Sequence, residues 1–592
     1  MARKKRVCSY LIIFLVCFVP RCILSLKAIP LRTLSDELST LNGAAMVAGY
    51  DWSNVVSNAG YYGFGMTAVF SFIFKLFKNP IIMYRAFMVC FALLQSITGL
   101  IAYYILSDSF PEKKETLLIV LSSVLSYCVV TRANVAYNEH GLIFVCWIIT
   151  LLVYNIFRYR ECTKKTVIYS MLLAITIAYS QMIHSRAKIF LIAGLICVAV
   201  YIISHIRDNI KKMIIVALFI STTVIAICIA NRVVLSYQMG VWGGDGVRNT
   251  QVQLSTDAGF DLLRLKAIAM IIFGQLNTFA LVTAGGIIVS IVCFIHMVAH
   301  VVHDKKIGEY LNQGYIYITL FFLLCFCGTI LAQAISWSVG VKVNMVTNGA
   351  EWIYSLKALT YIRYAGPYLG PIILFAIIYM LKNEKDTNKI ALFSMIIVLA
   401  MQKYWMKYIV PYCVRTPDGS EAYLCFSASE PWTHSERLFS MSMIILIVVA
   451  FIITVLIKKN IKILAAACIL LYMMYQYGYN AINYDLYIQK KESESFIEVY
   501  DYIVDNGVLK DIENNNLYAV DTSKKNDHQF YYLAQFYFYD YKIQTDVPQS
   551  YDKNFVIISN EPQKIIQKLD PNMEYHVEEI NDYYIIRYLV EY

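Results

Sequence analysis

The stretch Leu31-Arg32-Thr33-Leu34-Ser35-Asp36-Glu37-Leu38 follows directly on an apolar run long enough to cross a bilayer, so two adjacent carboxylates stand just beyond the end of that run. Downstream, the residue pattern predicts a short helix over 36–48, stopped at Gly49, and then a polar segment reaching Tyr61-Tyr62-Gly63. Upstream, Arg3-Lys4-Lys5-Arg6 precedes apolar residues from Val7 with no small-x-small cleavage site after them. This reads as an uncleaved first span with its N-terminus inside, and Asp36-Glu37 then lie on the outer surface.

Composition supports this reading. The chain has 592 residues, 58% of them apolar and 16% charged, with a mean hydropathy of +0.55, whereas soluble domains carry about 25% charged residues. The fold class is therefore mainly α, a polytopic transmembrane helical protein of the cell membrane. The excess of Lys+Arg over Asp+Glu, 51 against 41, falls largely in loops that orient a membrane protein, and no nucleic-acid partner is implied.

Spans are expected at 7–29, 81–106, 116–133, 141–157, 166–183, 189–205, 213–231, 277–302, 313–335, 366–382, 390–408, 437–457 and 462–479, each close to the ~20 residues a bilayer requires. The apolar runs 63–77 and 267–276 are short and read as juxtamembrane or re-entrant helices. Counting 63–77 as a span would turn every later Lys/Arg cluster outward, against the positive-inside rule. With that run excluded, the outer loops hold Asp36-Glu37, Asn138-Glu139-His140, His184-Ser185-Arg186-Ala187-Lys188 and Arg363. The division is a membrane domain over 1–479, with a first external loop at 30–80, and an extracytoplasmic α/β domain over 480–592. That second domain, with a helix near 492–504 and strands near 517–520, 555–558 and 583–588, shows no phosphate loop, metal cluster or nucleophile elbow and reads as an accessory or acceptor-contact domain. Most of the 15 cysteines lie in apolar runs. Cys413 and Cys425 share one outer loop and are expected to form a disulfide.

Each polar group has a structural and a chemical reading. Neighbouring helical residues point about 100° apart, so Asp36 and Glu37 cannot form a coupled dyad and would serve different roles. Thr33 or Ser35 could cap their helix, with Asp36 in the position of a capping box; alternatively Asp36 is a base. Glu139-His140 could hold a divalent cation or simply open an interfacial helix, so the metal requirement is open and no cofactor is certain. His184, Arg186, Lys188 and Arg363 are external groups at span ends, suited to a lipid phosphate or to ordinary anionic headgroups. Arg21, inside the first span, either snorkels to the outer interface or reaches the Asp36 region.

Together these features resemble the class C membrane glycosyltransferases (GT-C), especially the protein O-mannosyltransferase and lipid A aminoarabinose transferase types. The resemblance rests on the first-loop Asp36-Glu37, the juxtamembrane run, Tyr84-Arg85-Ala86 opening span two, the acidic motif after span three, and the external C-terminal domain. It is detailed over roughly the first 200 residues and architectural thereafter. Where relatives often have one acid alone, this sequence has Glu139-His140. The resemblance implies transfer of a sugar, with inversion, from a polyprenyl-phosphate donor to a cell-surface glycan, lipid or protein acceptor on the outer face. It also implies Asp36 as general base; Glu37 and Glu139 are read beside it as further catalytic acids, and His140, His184, Arg186, Lys188 and Arg363, from their charge and position, as substrate-binding groups. Other classes with the same outward loops are a glycan polymerase or ligase, a non-catalytic scaffold and a transporter. A transporter would tend to show repeats or broken helices at mid-membrane, for which only Gly285-Gly286 speaks.

Overall fold

The computed structural model describes residues 2–31, 34–129, 134–205, 210–243, 259–304, 313–347, 358–410, 422–423, 435–487, 490–521 and 530–590. Cys413, Cys425 and Thr33 lie outside the described residues. The chain is a bundle of apolar helices, since a backbone crossing a bilayer must satisfy its own hydrogen bonds. Among the described residues, 11 helices are long and apolar enough to cross, with two shorter apolar ones at Glu115–Tyr127 and Gly366–Lys382. Their outward faces carry Ile23, Ile175, Ile225 and Phe451, all exposed, as lipid contact requires. The protein is a multi-pass membrane protein.

In chain order the helices are α1 (Ala2–Leu26), α2 (Leu34–Ala48), the short α3 (Ser53–Val56), α4 (Gly65–Ala68) and α5 (Phe72–Leu76), then α6 (Pro80–Ser109), α7 (Glu115–Tyr127), α8 (Glu139–Arg158), α9 (Thr163–Ile183), α10 (Lys188–His205) and α11 (Ile210–Trp242). They continue as α12 (Leu262–Val282), α13 (Gly286–Asp304), α14 (Gly314–Thr347), α15 (Leu369–Lys382), α16 (Thr387–Tyr408), α17 (Ser435–Lys458), α18 (Lys462–Tyr487) and α19 (Lys490–Asp505). Among the described residues each expected span contains a helix, and the 63–77 run forms short pieces as expected. α7 is shorter than 116–133, ending at Tyr127, and α11 and α14 run well past their expected ends.

The segment expected as one span over 277–302 is instead broken at Thr283-Ala284-Gly285. Ala284 and Gly285 adopt left-handed backbone (φ 49° and 82°), and the Gly285 N–H closes α12 on the Ala280 carbonyl at 2.7 Å. The Thr283 hydroxyl then accepts the Ile287 N–H at 3.1 Å and starts α13. The two halves do not fold back on each other. Arg264 meets Ser338, Phe279 meets Phe326, and Phe294 reaches Phe375, which stacks on Tyr315. Contacts thus descend α14 in one direction, and α12 with α13 make one traversal.

This order gives the bundle two chemically distinct ends. One gathers Asp108 with Arg158, and Glu384 with Lys113 and Lys462 at 2.8 and 2.9 Å. The other gathers the starts of α2, α8 and α10. Arg21 belongs to neither end. It is fully buried mid-bundle, bonded to Gln95, the Cys17 carbonyl and Ser126, and stacked on Tyr127 and Tyr477; both expected placements, interface and Asp36 region, are replaced by this one. Pro20 beside it removes an N–H from α1, and the Tyr127 hydroxyl takes the Val16 carbonyl that the missing donor leaves free.

After α19 the chain forms a four-stranded sheet in the order β1-β2-β4-β3, from β1 (Leu517–Val520), β2 (Phe555–Ser559), β3 (His576–Ile580) and β4 (Tyr583–Tyr588). β1 and β2 are parallel, and β4 pairs antiparallel with both its neighbours. Helix α20 (Tyr531–Tyr537) precedes β2. This unit sits on the first loop: Trp52 donates to the Tyr539 carbonyl at 2.8 Å, Lys542 pairs with Asp51 at 2.6 Å, and Phe536 meets the Tyr84 ring.

Candidate active site

The first loop is pinned under the site by backbone contacts. Phe64 N–H donates to the Met182 carbonyl at 2.9 Å, and Asn138 donates to the Gly63 carbonyl at 3.2 Å. Gly63 has φ +128°, and a Cβ there would stand 2.0 Å from the Ile183 oxygen, so only glycine lets the loop pass. Before α2, Leu31 is buried in left-handed backbone (φ 52°), a conformation that a branched side chain adopts only under constraint.

Asp36 and Glu37 occupy the first turn of α2, where the helix dipole favours acids. Their divergence sets their environments. Glu37 is fully buried and accepts from the Tyr84 hydroxyl and, at 2.9 Å, from the Ala136 N–H. Asp36 keeps 24% of its side chain exposed and faces Arg363, whose Nη1 lies 3.1 Å away.

Glu139 is the first residue of α8, with its side chain 1% exposed. Its Oε1 accepts from Arg363 Nε at 2.8 Å and lies 3.6 Å from Arg186 Nη1 and 4.0 Å from His184 Nε2. Its Oε2 is buried with no hydrogen-bond partner among the described residues, and the same holds for Asn138 Oδ1 and His184 Nε2. Three buried polar atoms without partners at one mouth are a costly arrangement unless a ligand or water completes it.

Arg363 lies over the Tyr137 ring at 3.6 Å. Burial works against its charge, but Glu139, Tyr361, Tyr137 and Asp36 outweigh burial and raise its pKa well above the arginine range. Its Nε serves Glu139 and its Nη1 serves Asp36. Arg186 stacks on Tyr364, and its N–H donates to His184 Nδ1 at 3.2 Å in the tight turn Ser185–Ala187. Burial, reinforced by the Arg186 charge, lowers His184 to about 3, so it is neutral. Lys188, exposed, opens α10 at the rim.

Asp36, Glu139, His184, Arg186 and Arg363 are therefore brought together, with Glu37 buried beside Asp36 on the same turn; Lys188 lies two residues beyond Arg186, exposed at the start of α10. His140 is not part of this group. Its ring stacks on Phe91, accepts from Gln95 at Nδ1 (2.6 Å) and meets the Val135 carbonyl at Nε2 (3.0 Å). Gln95 must present its amide nitrogen there, because its oxygen already accepts from Arg21 and Tyr477. The imidazole and the Glu139 carboxylate thus diverge and do not converge on a common ion, which answers the reading of Glu139-His140 as a metal pair. Tyr137 and Tyr364 are site residues that charge-based reading missed, their only signal being adjacency to Asn138-Glu139 and Arg363, while Tyr84 was marked only as part of the Tyr84-Arg85-Ala86 segment.

The chemistry available is specific. One partly exposed carboxylate is oriented by a buried guanidinium, a second is held in a set of cations, and the N-termini of α2, α8 and α10 open onto the same place, a field suited to an anion.

No protein-family model matches this sequence, and no curated protein matches it. Solved structures do match. The crystal structure of ArnT from Cupriavidus metallidurans in the apo state aligns with a TM-score of 0.53 at 10% identity, covering 99% of this chain and 98% of that one. The same protein bound to undecaprenyl phosphate aligns with a TM-score of 0.52 at 10% identity over the same shares. The likeness is one of fold: the chain has an ArnT-like, polytopic helical fold with a small C-terminal α/β sheet.

Proposed function

We propose that this protein is a membrane glycosyltransferase that moves a sugar from a polyprenyl-phosphate carrier to a hydroxyl group of a cell-surface glycan, lipid or protein, on the outer face of the membrane. The observation that carries the reading is the Arg363 guanidinium shared between Asp36 and Glu139, in a fold whose ArnT counterpart has been crystallised with undecaprenyl phosphate.

Asp36, partly exposed and oriented, takes the proton of the acceptor hydroxyl as its oxygen attacks the anomeric carbon. The bond from that carbon to the phosphate oxygen breaks as the new one forms, so configuration inverts. The electron pair leaves with the lipid phosphate, whose charge is received by Arg186, Lys188 and Arg363. Fixed charges in a poorly hydrated site stabilise such a leaving group without reorganising. Glu139 keeps Arg363 and Arg186 in position, and Glu37 anchors α2 to Tyr84 and the 134–138 segment. His184, neutral, offers a hydrogen bond from Nε2.

Purified protein in nanodiscs, supplied with a radiolabelled polyprenyl-phosphate sugar, tests this reading. Turnover of the donor supports a transferase. Binding without turnover would favour a scaffold, and uptake of intact substrate into vesicles would favour a transporter.

A further inference from the structure

At the opposite end of the bundle, His296 and His300 stand four residues apart on α13, on one helical face, with ring centroids 4.6 Å apart. Asp386, from the turn between α15 and α16, faces them. One ligand atom from each of the three lies within 4.8 Å of the others.

Two further features fit a site. Asp386 is the N-cap residue of α16, where an aspartate ordinarily accepts a backbone N–H of the first turn, yet its side chain makes no such bond. The His296 ring is fixed by Tyr379, whose hydroxyl lies 2.8 Å from Nδ1. A histidine ligand is commonly oriented in this way through its second nitrogen, which leaves Nε2 to bind.

We propose that His296, His300 and Asp386 bind a first-row divalent transition-metal ion, with zinc the best fit. Two imidazoles and one carboxylate are a borderline-soft donor set, and three protein ligands leave a fourth position for water. The ion clips α13, the second half of the broken traversal, to the turn between α15 and α16. Lys389, with Nζ 3.2 Å from Asp386 Oδ1, is the cation it displaces. The proposal is independent of the reaction at the Asp36 end.

The test uses the full chain, stripped with a chelator and titrated with Zn²⁺ against a chromophoric zinc indicator. One equivalent should bind, with affinity at least about tenfold weaker in His300→Ala and in Asp386→Asn and tighter in Lys389→Ala. His300 is exposed, so its replacement leaves the core intact. As a second readout, zinc should raise the thermal unfolding midpoint of the natural protein and not that of His300→Ala. Equal stoichiometry and affinity in the natural protein and both ligand variants would overturn the proposal, because the chain's other histidines, from a total of 9, would then account for the binding. Absence of zinc binding to the natural protein would overturn it as well.

Discussion

Asp36 and Glu139 accept hydrogen bonds from one guanidinium, that of Arg363, at 3.1 and 2.8 Å. The first acidic motif, the second and the Tyr361-Ile362-Arg363-Tyr364 segment are remote in sequence, so this arginine joins two helix starts and a third segment into one site. Arg363 is nearly buried and Glu139 fully so, and in such a place removing one charge leaves the other uncompensated.

Arg363→Ala should therefore destabilise the protein by about 3 to 5 kcal/mol, the usual result of breaking a buried ion pair from one side. Adding Glu139→Gln to it should recover part of that stability by removing the stranded charge, while donor turnover stays abolished. Thermal unfolding in detergent, read beside turnover, separates the two effects. A double variant no more stable than Arg363→Ala would argue against the pairing.

Arg186 should act on the donor more than on the acceptor. Loss of a desolvated, charge-assisted hydrogen bond costs ~1.5 to 3 kcal/mol, so Arg186→Ala should raise the donor KM or lower kcat about tenfold or more. Steady-state kinetics with each substrate varied in turn provides the check, and a change confined to the acceptor KM would reject the assignment.

His184 predicts a pH dependence of stability. An unfolded histidine takes up its proton near pH 6.5, whereas burial and Arg186 hold the folded residue to about 3. The unfolded chain binds the extra proton in that window, so stability should fall as pH drops below about 6.5. His184→Gln should flatten the decline, and the difference between the two thermal profiles isolates this residue from the carboxylates. Parallel profiles down to pH 4 would contradict it.

Much of the fold was legible because hydropathy and the positive-inside bias report directly on what a bilayer requires. The break at Thr283-Ala284-Gly285 was marked only by the Gly285-Gly286 pair, since it depends on left-handed backbone at two small residues that leave the apolar run uninterrupted. The charged members of the candidate site were legible as acids and cations gathered in loops on one side of the expected spans, where they serve no orienting purpose. The place of Arg21, outside the site, was not legible: it is satisfied by carbonyls, a glutamine, a serine and tyrosine rings, none of which stands out in an apolar helix. His140 turns away from Glu139 because adjacent helical residues face different neighbours, the same rule that separates Asp36 from Glu37.

Donor turnover by purified Asp36→Asn in nanodiscs, beside Tyr84→Phe, tests the central claim most directly. Asparagine keeps the shape and can still cap a helix, but it cannot accept the acceptor's proton. Transfer should fall by ~10² to 10⁴, with folding and donor binding retained. Tyr84→Phe removes the hydroxyl that supports buried Glu37 and meets the Asn134 carbonyl, and should cost stability, about 1 to 3 kcal/mol, more than chemistry. Near-normal transfer by Asp36→Asn would contradict Asp36 as the base and leave its carboxylate with a purely structural role.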